Sequence, residues 1–182
     1  MSEPLVTIGI PTRNRVSALE RALRSALAQE NVGLHVVVSD NASTDGTRDL
    51  CAALQRVHPR LRYIGQPRDI GAEANFRAVL DAATTPFFMW LADDDWIDPG
   101  YVARCSSVLQ ANPDHVVVCG RGRYYRDGTY AFTERAVNLV SASRRARLLG
   151  FFRTVTLNGP YYGVMRRDAI PESPARRRVG FR

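Results

Sequence analysis

Three consecutive aspartates, Asp93-Asp94-Asp95, follow the apolar run Pro86-Phe87-Phe88-Met89-Trp90-Leu91-Ala92. That run reads as a buried strand, so the carboxylates stand where it ends and opens to solvent. Side by side they repel one another, and a positive partner is expected there. A divalent metal carrying a phosphorylated ligand supplies such a charge. Taken alone, the triplet also reads as a solvated loop capping the next helix.

Three further polar segments follow strand-like runs. Pro11-Thr12-Arg13-Asn14-Arg15 ends a strand over 5–10, with Pro11 expected to stop it. Ser39-Asp40-Asn41-Ala42-Ser43-Thr44-Asp45-Gly46-Thr47 ends a second over 34–39, and Arg68-Asp69-Ile70-Gly71 follows a third over 61–64. Each has an ordinary reading as a loop, a capped turn or a surface cation. Their recurrence at successive strand ends carries more weight. Ligands of open parallel sheets bind beyond the carboxyl ends of the strands.

The elements that must position these residues alternate along the chain. Ala18, Leu19, Ala22, Leu23, Ala26 and Leu27 recur at helical spacing, with Ser17 as the expected N-cap. Leu50, Ala53, Leu54 and Val57 mark a second helix, with Thr44 or Asp45 as its cap. Helices over 72–83 and 99–110 and a fifth strand over 116–119 complete a βαβαβαβαβ order. It predicts an α/β fold with a doubly wound, mostly parallel central sheet. Beyond Gly120 the pattern changes. A hairpin over 122–132 turning at Asp127-Gly128, a helix over 142–152 and a strand over 160–165 are expected. Residues 174–182 read as a flexible basic tail.

The bulk properties narrow the classes. The chain has 182 residues, is 45% hydrophobic and carries a net charge of +7. It contains no lysine, so every basic residue is arginine. Anionic partners fit that charge, but no nucleic-acid motif accompanies it and nucleic acid is not expected as a partner. Gly9 is the only glycine near the first strand, which excludes a GxGxxG fingerprint. A P-loop and a lysine Schiff base are excluded with lysine itself. Cys51, Cys105 and Cys119 form no CxxC pair, and His35, His58 and His115 form no HxH or HExxH pattern. Neither a membrane-spanning run nor a signal-peptide pattern appears at the N-terminus, so a cytoplasmic protein is expected. Arg144-Arg145-x-Arg147 and Arg176-Arg177-Arg178 offer peripheral contact with the inner membrane face, set against the plainer reading of a solvated face.

The chain resembles the inverting family-2 glycosyltransferases, which have a nucleotide-sugar-binding fold of the glycosyltransferase A type. The resemblance rests on Val6-Thr-Ile-Gly-Ile-Pro-Thr-Arg-Asn-Arg15, Val36-Val-Val-Ser-Asp-Asn-Ala-Ser-Thr-Asp-Gly-Thr47, Arg68-Asp-Ile-Gly-x-x-x-Asn75 and Trp90-Leu-Ala-Asp-Asp-Asp-Trp-Ile-Asp-Pro99. It continues more weakly through Asn158-Gly-Pro-Tyr-Tyr-Gly-Val-Met-Arg-Arg167, similar to the family's acceptor-side strand. It implies a single domain over 1–173, with a nucleotide-sugar-binding half over 1–100 and an acceptor-side half over 101–173. The reaction implied is transfer of a sugar from a nucleotide-diphosphate donor to a hydroxyl acceptor with inversion. That acceptor would be a glycan, a lipid-linked or a small molecule.

By the same resemblance Pro11, Thr12 and Arg13 would line the base and ribose pocket. Asp40 would accept a hydrogen bond from the base, and Arg68 would lie near the base or phosphates. The aspartates correspond to the DxD element that holds ribose and, through Mg2+ or Mn2+, the diphosphate. Alignment on Trp96 and Pro99 favours Asp94 as metal ligand and Asp93 for the ribose, whereas literal DxD spacing promotes Asp95.

The family's catalytic base is a carboxylate beyond the acceptor-side strand. After residue 160 this sequence has only Asp168 and Glu172, both just past Arg166-Arg167, and neither is assigned that role. A chain cut short at its C-terminus, a degenerate acceptor half or a substitute carboxylate are the three readings. A non-catalytic nucleotide-sugar-binding or partner-binding module is the alternative function. A nucleotidyltransferase fits less well, because Pro11-Thr12-Arg13-Asn14 is not a glycine-rich loop.

Overall fold

The computed structural model of the protein describes residues 5–30, 32–155, 157 and 159–170. Strands β1 (Val6–Thr12), β2 (Leu34–Asp40), β3 (Leu61–Gly65) and β4 (Phe87–Trp90) alternate with helices α1 (Val16–Leu27), α2 (Thr47–Val57) and α3 (Ala72–Asp81). Helix α4 (Tyr101–Ala111) and the short β5 (Val117–Val118) follow. Then come the hairpin β6 (Arg123–Arg126) and β7 (Thr129–Thr133), helix α5 (Arg144–Thr154) and β8 (Val164–Arg166).

The main sheet runs β3-β2-β1-β4-β8-β5. β1 to β4 are parallel to their neighbours. The expected doubly wound, mostly parallel sheet is therefore present, with one departure. β5 does not extend the parallel series; β8 lies between β4 and β5 and is antiparallel to both. The chain leaves the sheet after β5, makes the hairpin and α5, and returns along the open edge of β4. The run expected as a strand over 160–165 begins as a 3-10 turn, Gly159–Tyr162, and extends only from Val164.

Both faces of the sheet are covered. Val6, Ile8 and Ile10 of β1 point to one face and pack with Leu19, Leu23 and Leu27 of α1, Cys51 of α2 and Val102 and Leu109 of α4. Val79 and Leu80 of α3 cover the other face with Phe88 and Trp90 of β4. Gly9 lies beneath α3, and a Cβ there would sit 2.7 Å from Val79 Cγ2 and 2.8 Å from Phe88 Cζ. The close approach of helix to sheet requires glycine.

Pro11 does not stop β1, which continues to Thr12. The Leu91 N–H donates to the Gly9 carbonyl at 3.0 Å, so Gly9 faces β4 along the strand plane. Pro11, two residues on, faces the same way, beyond the last β1–β4 pair, Gly9–Trp90. Its missing N–H therefore costs no ladder bond.

Ser17 is not the cap of α1. The flanking residue is Arg15, and the Val16 N–H is received at 2.8 Å by Asp45 from the β2–α2 loop. The other Asp45 oxygen accepts from the Thr47 N–H at 3.2 Å and from its hydroxyl at 2.5 Å. One carboxylate thus serves the N-termini of two helices. The hairpin turns as expected, with Asp127 and Gly128 both at positive φ, 49° and 76°. Cys51 and Cys105 are buried and Cys119 half-buried, all as free thiols. The expected basic tail over 174–182 and Glu172 lie outside the described residues.

Candidate functional site

The carboxyl ends of β1, β2 and β4 lie side by side in the sheet, and each leads to a buried polar side chain: Thr12, Asp40 and Asp93. Thr12 at the end of β1 donates its hydroxyl to Asp93 Oδ2 at 2.8 Å. Asp93 is the first aspartate past β4 and is buried, whereas Asp94 and Asp95 are exposed. Arg15 Nη1 reaches both Asp93 Oδ1, at 3.3 Å, and Asp94 Oδ2, at 2.9 Å. Arg21 from α1 donates to the Asp94 carbonyl at 2.8 Å and lies 4.5 Å over the Trp96 ring.

The electrostatics follow from this crowding. Burial pushes the Asp93 carboxyl above its usual range and Asp94's charge adds to it, against the Thr12 hydrogen bond and Arg15. Asp95 is raised in the same sense, by withdrawal of water from its carboxylate and then by Asp94. Arg15 is held more firmly protonated by Asp93 and Asp94. Tyr162, in the 3-10 turn before β8, is raised by burial and then by the three aspartates, with Asp95 foremost.

At the end of β2, Asp40 is buried and fixed on both oxygens. Oδ1 accepts from the Ser43 N–H at 2.9 Å and Oδ2 from the Tyr63 hydroxyl at 2.6 Å. Burial and the bond to Asp40 push Tyr63 up to about 12, so it stays a donor. Each carboxylate oxygen keeps a free lone pair for a ligand N–H. Arg13 forms an ion pair with Asp69, whose other oxygen accepts from Asn41 at 2.6 Å and from the Gly71 N–H at 2.9 Å. The Gly71 N–H, with Asn41 and Arg13, holds Asp69 below the usual carboxylate range.

Asn75 ties these ends together from α3. It accepts from the Ser39 hydroxyl at 2.7 Å and donates to the Thr12 and Ser39 carbonyls at 3.3 and 3.1 Å. Gly71, which precedes α3, has φ +83° and ψ 158°, a conformation reserved for glycine. The spacing of Asp69, Gly71 and Asn75 is thereby explained by backbone geometry and by a strand-end clamp.

Of the residues singled out from the sequence, Thr12, Asp93 and Asp94 converge directly. Arg13 and Asp40 line the β1 and β2 ends, and Pro11 lies in β1 beside them. Arg68 is exposed and has no hydrogen bond or ion pair among the described residues. Arg15, Arg21 and Tyr162 were not assigned from sequence. Arg15 belongs to the first strand-end segment, but its pairing with Asp93 and Asp94 is set by the fold across 78 and 79 residues. Tyr162 had no strand-end signal.

The β6–β7 hairpin is tethered to the aspartate loop. Arg123 of β6 grips Asp98 with contacts of 2.5 and 2.6 Å, and Tyr125 lies 5.4 Å from Trp96. Tyr161 stacks on Trp90 at 5.0 Å. Glu134, just after β7, is buried with Oε1 unpartnered among the described residues.

Among the described residues no group of three or more His, Cys, Asp or Glu side chains is arranged as a metal cage. The donor set present is smaller: two carboxylates, Asp93 and Asp94, that share one cationic nitrogen. Hard oxygens so placed suit a dication that draws its remaining ligands from phosphate and water.

The sequence matches the family described as "Glycosyl transferase family 2" over residues 7–172. A Campylobacter jejuni GalNAc(5)-diNAcBac-PP-undecaprenol beta-1,3-glucosyltransferase is 31% identical over 69% of this chain and 40% of its own length. The Rhizobium meliloti succinoglycan biosynthesis protein ExoO is 32% identical over 80% of this chain and 39% of its own. The chain thus spans about two-fifths of these relatives. Among solved structures, the mannosyltransferase PcManGT from Pyrobaculum calidifontis, in complex with GDP-Man and Mn2+, superposes with a TM-score of 0.59. It is 26% identical and matches 67% of this chain and 37% of its own. S. aureus TarS 1-349 in complex with UDP-GlcNAc gives 0.64 at 19% identity over 90% of this chain and 45% of its own, a likeness of fold. With the match running from β1 through β8, the chain belongs to glycosyl transferase family 2.

Proposed function

We propose that this chain binds a nucleotide-diphosphate sugar across the ends of β1, β2 and β4 and serves its transfer to a hydroxyl acceptor with inversion. The observation that carries the reading is the convergence of Asp93 and Asp94 on a single cation, at 3.3 and 2.9 Å, beside Thr12. The Arg15 guanidinium compensates the two carboxylates that would hold the metal and the donor. The PcManGT complex with GDP-Man and Mn2+ supports a donor of this class and a Mg2+ or Mn2+ requirement.

In this reading Asp40, fixed by Tyr63 and Ser43, accepts from the base. Pro11, Thr12 and the Arg13–Asp69 pair form the wall beside base and ribose. Asp93 receives the ribose hydroxyls, Asp94 holds the metal, and Asp95 is the second ligand candidate. Arg68, exposed after β3, is assigned to the base or phosphates. When bound, the metal neutralises the charge that grows on the departing nucleoside diphosphate. No residue is assigned as the base.

The acceptor is a glycan, a lipid-linked or a small molecule, as the names of the relatives allow. Contact with an anionic membrane is proposed through α5. None of its residues is buried, Leu148, Leu149, Phe151 and Phe152 are exposed, and Arg144, Arg145, Arg147 and Arg153 lie among them. No acidic residue occurs between 135 and 167. No described helix is long and apolar enough to cross a membrane, so contact would be at the surface.

A thermal-shift screen of nucleotide sugars with Mn2+ tests the donor. A binder raises the melting temperature by mass action, and no shift for any donor would contradict the reading.

A further inference from the structure

We propose that Arg15 is the resting counter-cation of the Asp93-Asp94 pair, displaced by the divalent metal and turned onto the donor diphosphate. The inference rests on the donor-binding reading above and adds a residue and an exchange to it.

Through one nitrogen Arg15 touches Asp94, the carboxylate that would hold the metal, and Asp93, the one that would receive the ribose. A dication on Asp94 would meet a guanidinium whose nitrogen lies 2.9 Å from the same carboxylate, so both cannot stay. The side chain can leave. It is 56% exposed, and its role in α1 is not to cap, because the Val16 N–H belongs to Asp45. Asp45 thus pins the backbone while the Arg15 side chain swings.

Asp93 is prepared for the exchange. Thr12 keeps Oδ2, so only Oδ1 is released when Arg15 moves. Arg21 does not compete, since it holds the Asp94 carbonyl and Trp96 rather than the carboxylate. It fixes the loop in both states. A freed guanidinium beside a metal-bound diphosphate has the fork geometry to bind two phosphate oxygens. The exchange leaves no uncompensated carboxylate pair before donor arrives, and it couples metal binding to the displacement of an internal cation. Donor phosphate returns that cation a partner, so metal and nucleotide bind cooperatively.

The test is binding, not turnover. Free Mn2+ is followed by electron paramagnetic resonance, and UDP and GDP are titrated by calorimetry with and without Mn2+. Arg15→Gln is expected to bind Mn2+ alone about tenfold more tightly than wild type. It should bind UDP or GDP in the presence of Mn2+ about tenfold more weakly. Arg15→Lys, which keeps the charge and loses the fork, should stay near wild type for Mn2+ alone and weaken the nucleotide. Unchanged or weaker Mn2+ binding by Arg15→Gln, with wild type still binding Mn2+ and nucleotide, would overturn the exchange and leave the donor reading standing. If wild type and every variant bind neither, the donor reading falls and the exchange falls with it.

Discussion

Thr12 and Asp93 join the ends of β1 and β4 by a buried hydrogen bond of 2.8 Å, 81 residues apart in the chain. The bond gives Asp93 one fixed oxygen and leaves the other to face the crevice and Arg15. A strand end and the aspartate loop are thereby held in one geometry before any ligand arrives.

Thr12→Val keeps the shape of the side chain and removes the donor. The buried Asp93 loses a partner, and stability should fall by about 1 to 3 kcal/mol in urea unfolding. Nucleotide binding should weaken in parallel. Unchanged stability would mean that the bond does not organise the strand ends.

Asn75 uses both ends of its amide in the protein interior. Asn75→Ala leaves the Ser39 hydroxyl proton without its acceptor, removes the side-chain bonds to the Thr12 and Ser39 carbonyls, and should cost about 2 to 4 kcal/mol in thermal or urea unfolding. A loss below about 0.5 kcal/mol, the range of neutral surface changes, would contradict the clamp.

The pH dependence of stability should carry the mark of Asp45. Burial works to raise its pKa, but the bonds from Thr47 and Val16 together hold it below the ordinary 3.8. A depressed folded value means that stabilisation is present above 3.8 and is lost as pH falls through the folded value. An asparagine in its place would offer one acceptor oxygen and could serve only one helix. Asp45→Asn should therefore unfold more easily at neutral pH by about 1 kcal/mol, with the gap closing in acid. A gap that persists unchanged into acid would contradict the assignment.

Flotation with vesicles reads the α5 surface. Wild type should float with anionic vesicles and not with zwitterionic ones, and a Phe151→Asp, Phe152→Asp double variant should stay behind. Equal recovery of the two proteins would exclude α5 as a membrane contact.

Much of the sheet from β1 to β4 was legible in the sequence because β1, β2 and β3 pair in chain order and the apolar runs of all four strands are continuous. Leu34-His35-Val36-Val37-Val38-Ser39 needs no tertiary information to be read as a strand. The part after β4 was less legible. The position of β8 depends on an edge of β4 left open by the chain's excursion, and nothing local in Val164-Met165-Arg166 specifies that edge or its direction. Caps failed for a similar reason: Asp45 serves α1 across 29 residues, whereas Ser17 offered a local cap that the fold does not use. At the site, the carboxylates were visible as a run. Their counter-cation Arg15 was not, because a guanidinium finds its partner in space.

The central claim is that Asp93 and Asp94 hold a metal-bound nucleoside diphosphate. Calorimetric titration of UDP and GDP, with Mn2+ and with a chelator, into wild type and Asp94→Ala tests it most directly. The account predicts binding of one nucleotide that requires Mn2+ and is abolished in Asp94→Ala. Binding that survives both chelation and Asp94→Ala, or no binding of either nucleotide to wild type with Mn2+ present, would contradict it.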